Sequence, residues 1–168
     1  IDCAVVKELL SQRTIRNFDK NGTIFYDQIS ALHKSVRGSD PDAALYWFAR
    51  LLDAGCDPNF IARRVCRMAT EDVGNADPRA LSLSIDCWEV WKRLGSPEGE
   101  LAIAQAIVYC ACAAKSNAVY SGLAMARKEV ELNGSMSVPV HLQQNPIRSG
   151  RNSELAYRYD HDERGFSA

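Results

Sequence analysis

No phosphate loop is encoded in the 168 residues: neither GxxxxGK followed by Ser or Thr nor GxGxxG occurs, so no backbone cradle for a nucleoside triphosphate is expected. An excess of charge of either sign is also missing. With 20 Lys and Arg against 21 Asp and Glu the formal net charge is −1, so any nucleic-acid contact has to come from a local patch. No CxxC pair exists to frame a zinc site or a redox motif. Cys3, Cys56, Cys66 and Cys87 are scattered singly, Cys110 and Cys112 point to different faces if helical, and His33, His141 and His161 lie far from the cysteines. Free thiols in a reducing cytosol are the expected state. No signal peptide is visible, and the longest apolar run, Leu101 to Ala114, is interrupted by Gln105 and shorter than the ~20 residues a bilayer requires. A soluble protein is expected. Ile1 is not an initiator methionine and the opening residues already read as helix, which predicts a segment of a longer protein.

What is present is a repeated punctuation. Asp40-Pro41, Asp57-Pro58, Asp77-Pro78 and Ser96-Pro97 each open a segment, and Gly55, Gly74 and Gly95 close the first three. An Asp or Ser side chain at the N-cap accepts from free backbone N–H groups, proline at the first helical position loses no hydrogen bond, and glycine past the end takes the left-handed conformation without steric cost. Apolar periodicity agrees: Val5, Val6, Leu9 and Leu10 make one stripe, Ile29, Leu32 and Val36 another, then Ala44, Leu45, Phe48, Leu51 and Leu52, then Ile61, Val65, Met68 and Ala69. The segment from Pro78 carries two stripes, Leu81/Ile85/Trp88 and Leu83/Cys87/Val90/Leu94, which predicts burial on two sides. The nearly all-apolar Leu101–Ala114 segment predicts a central core helix or a subunit interface. Ser116 caps a last helix, expected to turn Val119, Leu123, Ala126 and Val130 inward and to end near Gly134. Beyond it, Val138-Pro139-Val140-His141-Leu142 and Asn145-Pro146 read as an extended arm with a polar tail. The fold expected is all-α: about seven helices joined by short loops, then a C-terminal arm.

Few residues carry chemistry. Arg63, Arg64 and Arg67, with Lys34, Arg37 and Arg50 upstream, form the densest basic grouping; a salt-bridged helix face, with Arg67 one turn from Glu71, is the plain reading, and a phosphate-contacting or subunit-contacting patch the functional one. The loop Glu71-Asp72-Val73-Gly74-Asn75-Ala76-Asp77 reads as a helix end, a glycine stop and the next N-cap, which accounts for every residue except Glu71 and Asp72; a metal site is the alternative. His161-Asp162-Glu163 offers ligand types on a polar tail, a poor scaffold for a metal. Trp47, Trp88 and Trp91 fall within apolar stripes and read as core rather than as base-stacking platforms. No catalytic constellation is found.

From Tyr26 onward the run Tyr26-Asp27-Gln28-Ile29-Ser30-Ala31-Leu32-His33-Lys34-Ser35-Val36-Arg37-Gly38-Ser39-Asp40-Pro41-Asp42-Ala43-Ala44-Leu45-Tyr46-Trp47 resembles the hallmark of the RarA/MgsA family of replication-associated recombination ATPases, related to the eukaryotic Werner-helicase-interacting ATPase. The likeness continues in Ile61-Ala62-Arg63-Arg64, Glu71 to Pro78, Pro97-Glu98-Gly99-Glu100-Leu101, Lys115 to Tyr120, Val138 to Leu142 and the terminal Tyr159 and His161-Asp162-Glu163, and it departs around Gln143-Gln144 and Ser149 to Ser153. The resemblance implies a clamp-loader-collar-like domain: residues 1–20 as the end of an AAA+ lid, 21–134 as a helical oligomerisation collar, 135–168 as its arm and tail. It implies a homotetramer, a longer protein that is a DNA-dependent ATPase using ATP and magnesium at stalled forks with single-strand-binding protein, and a cytoplasmic, nucleoid-associated location in a bacterium. No cofactor, metal or catalytic residue is carried over to this chain. Leu101, Ile103, Ile107 and Val108 are the expected oligomer interface, and Arg63, Arg64 and Arg67 the expected DNA or interface contacts.

Overall fold

The computed structural model describes residues 23–134 and 136–143; the expectations for residues 1–20 and for the tail, His161-Asp162-Glu163 included, lie outside them. The described residues are helical and contain no strand. Among these residues six α-helices follow one another: α1 (Thr23–Arg37), α2 (Pro41–Asp53), α3 (Pro58–Met68), α4 (Arg79–Leu94), α5 (Glu100–Cys112) and α6 (Ala118–Asn133). A π-turn, Ala69–Val73, and a 3-10 turn, Gly74–Ala76, join α3 to α4, and a second 3-10 turn covers Val140–Leu142.

The caps act as their residue types require. The Asp40 carboxylate accepts from the Ala43 N–H and that of Asp57 from the Asn59 N–H, both at 2.9 Å. Gly55, Gly95 and Gly134 follow α2, α4 and α6 with positive φ. Ser96-Pro97 behaves differently from the other three openings. Its peptide bond is cis, a turn follows, and α5 starts only at Glu100. Gly99 there lies so close to α4 that a Cβ would stand 2.7 Å from the Trp91 Cα.

The core is centred on α5, which touches each of α1 to α4. Ile103, Ala106, Ile107, Cys110 and Ala111 are buried on it, facing Leu32 and Val36 of α1, Phe48 and Leu51 of α2, and Ile61, Val65 and Met68 of α3. The nearly all-apolar segment is therefore a central core helix. All three tryptophans pack half-buried against this core, and Trp88 Nε1 donates to Asn59 Oδ1 at 2.9 Å, tying α4 to α3.

Helix α4 departs from the two-stripe expectation. It buries Ala80, Ser84 and Cys87, while Leu81, Ile85, Val90 and Leu94 are exposed. Small residues one turn apart let α4 and α5 approach closely, with Ser84 Oγ 3.9 Å from Cys110 Sγ. Cys110 is buried and Cys112 exposed, as their spacing predicts, and all five described cysteines are free.

The chain divides into two units at Ala124–Met125, within α6. No residue of α6 is buried. The expected inner face of Val119, Leu123, Ala126 and Val130 is exposed instead. In the second unit, Leu142 N–H donates to Pro139 O and Gln143 Nε2 to Val138 O, both at 2.9 Å, so the arm curls into a turn at a place where extended chain is expected.

Candidate functional site

The sharpest convergence of charge lies at the π-turn. Glu71 and Asp72, unexplained by the cap-and-stop reading of their loop, receive cations from two helices. The Asp72 carboxylate is buried; it meets His33 Nε2 at 2.7 Å and accepts from Arg37 Nε at 2.5 Å. Glu71 accepts from Arg37 Nη2 at 2.9 Å and from Arg67 Nε at 2.6 Å. Arg37 and His33 are one turn apart on α1, and a turn with π spacing is what brings consecutive carboxylates to face both them and α3. The backbone is fixed too: Asp72 O accepts from Ser116 N at 2.8 Å, ahead of α6. Gly74 has φ of +52°, and a Cβ there would come within 2.5 Å of Ser116 O, so the contact requires glycine.

His33, Glu71 and Asp72 place ligand-type atoms within 4.8 Å of one another. The Arg37 guanidinium already bridges the two carboxylates, which makes the group a closed ion-pair network rather than an open donor set. Arg37 is accordingly held more basic than usual, chiefly by its hydrogen bond to Asp72. Beside the network is a cavity of about 670 Å³ lined by Arg37, Glu71, Asp72, Lys115, Ser116 and Tyr120, among others. Lys115 Nζ caps the end of α5, donating to Ala111 O at 2.9 Å and Ala113 O at 2.7 Å, and reaches Ser39 Oγ at 3.2 Å. Burial lowers its pKa.

The structure separates the three expected arginines. Arg67 is engaged by Glu71 and its guanidinium lies 5.9 Å from the centre of the Tyr120 ring. Arg63 and Arg64 instead lie over Phe60, at 5.7 and 5.3 Å, and make no ion pair with any described residue. Among the four expected interface residues, Leu101 is 77% exposed and Val108 half-buried, but Ile103 and Ile107 are 1% and 0% exposed. Those two side chains are inside the protomer's own core, because α5 is surrounded by α1 to α4, and are not surface available to a second copy. On α6 the apolar side chains face outward: Val119, Tyr120, Leu123, Met125, Val130 and Leu132 are each at least half exposed. Asp77 completes the loop. It accepts from Arg79 and, at 2.7 Å, from the Tyr109 hydroxyl, and these bonds hold its carboxyl well below the usual carboxylate range.

Sequence comparison gives this geometry a lineage. Residues 38–168 match the family described as MgsA AAA+ ATPase C terminal, and residues 1–37 match one described as AAA C-terminal domain. The two matches meet where α1 ends. The chain is 60% identical to replication-associated recombination protein A of Coxiella burnetii, over all of this chain and 39% of that protein. It is 53% identical to the protein of the same name from Escherichia coli, over 95% of this chain and 36% of that protein, and 45% identical to ATPase WRNIP1 of Dictyostelium discoideum, over 90% and 18%. The chain thus spans about two fifths of the length of the bacterial relatives.

Proposed function

The chain belongs to the MgsA AAA+ ATPase C-terminal family, and on that premise we propose that it is an oligomerisation and partner-docking domain, contributing no catalytic group of its own. The longer protein would be an ATP- and magnesium-dependent, DNA-dependent ATPase that works on replicating or recombining DNA in the bacterial cytoplasm at the nucleoid, with single-strand-binding protein as a partner. In this reading residues 1–20 end the lid, 21–134 form a collar that holds a homotetramer together, and 135–168 form its arm.

The observation that carries the proposal is α6. A helix of 16 residues is marginal by itself in water, yet among the described residues none of this one is buried. Val119, Leu123, Ala126 and Val130 recur at helical spacing and make a stripe along it. Fully burying Val119, Leu123 and Val130 is favourable by roughly 1.5–3 kcal/mol each, which suits a surface that meets another copy. Leu101 on α5 is exposed as well. The test is the double variant Leu123→Glu with Val130→Glu. It keeps the melting temperature of the core and reduces the mass in sedimentation to that of a monomer; an unchanged mass refutes the role of α6.

A second reading is a DNA-contacting face, favoured by one observation: Arg63 and Arg64 have no carboxylate partner among the described residues. Replacing both with Ala would then flatten the salt dependence of DNA binding by about 0.9 per lost phosphate contact, whereas an interface role moves the mass and leaves the slope alone.

A further inference from the structure

We draw no further inference here: the strongest candidate, the polar cavity between the π-turn and the N-terminus of α6, belongs to the site already described, and its cations are engaged within the chain, Arg37 by Glu71 and Asp72 and Lys115 by Ala111 O, Ala113 O and Ser39 Oγ, so nothing there shows what it would bind.

Discussion

Replacing Gly74 with Ala isolates the contact that locks the π-turn to the segment ahead of α6. Two costs add. At φ +52° and ψ −137° the backbone lies in a region reserved for glycine, and a side chain there costs about 1–3 kcal/mol. The new Cβ would also stand 2.5 Å from Ser116 O, a backbone atom with no flexible end to yield. Relieving the overlap means moving Ser116, and with it the 2.8 Å bond from Ser116 N to Asp72 O, for about another 1 kcal/mol. The total is about 3 kcal/mol, which for a domain of this size lowers the melting temperature by roughly 10 °C. Gly55→Ala is the internal control: φ is +79°, but nothing lies within 4 Å of the added Cβ, so only the conformational cost of about 1 kcal/mol applies. Thermal melting of both variants by far-UV circular dichroism is the assay. If Gly74→Ala loses no more than Gly55→Ala, the close approach of the turn to Ser116 is not what holds this region.

Asp72→Ala removes a buried carboxylate from His33 and Arg37 and is expected to cost about 2 kcal/mol in urea denaturation, held to that value because Arg37 is half-exposed. Glu71→Ala, whose arginine partners are both half-exposed, should cost under about 1 kcal/mol in the same assay. Asp77 has a depressed carboxyl pKa from its bonds to Arg79 and Tyr109, so its contribution to stability is present above about pH 4 and is lost as pH falls toward the folded-state value; Tyr109→Phe should flatten that acid limb in urea titrations at successive pH values. Calorimetric titration of the chain with magnesium-ATP should give no saturable heat, since no phosphate loop is encoded.

Where signals are local, the sequence is a good guide. Asp40, Asp57, Gly55 and Gly95 mark helix ends because a cap depends on residues three or four apart. The Arg67–Glu71 pair is legible for the same reason. The cis bond at Ser96-Pro97 shows the limit: the dipeptide has the composition of a cap but opens a turn. On α4 the two stripes are only partly buried, Cys87 fully and Leu83 and Trp88 in part, because pattern weighs large apolar side chains, whereas the α4–α5 packing is set by Ala80, Ser84 and Cys87, whose smallness is what counts. The contacts of Asp72, and that of Glu71 with Arg37, are not legible, as His33 and Arg37 are 34 to 39 residues away. An unexplained acidic pair next to a glycine stop was the available signal. For α6, periodicity correctly identified an apolar stripe, but periodicity does not say whether the surface that covers a stripe is in the same chain.

In the proposed assembly the stripe on α6 is covered by another copy of the chain. Static light scattering of the purified chain through a dilution series tests it most directly. The expected mass is well above 18.6 kDa at micromolar concentration, falling toward that value on dilution; a mass of 18.6 kDa at every concentration refutes self-association through α6.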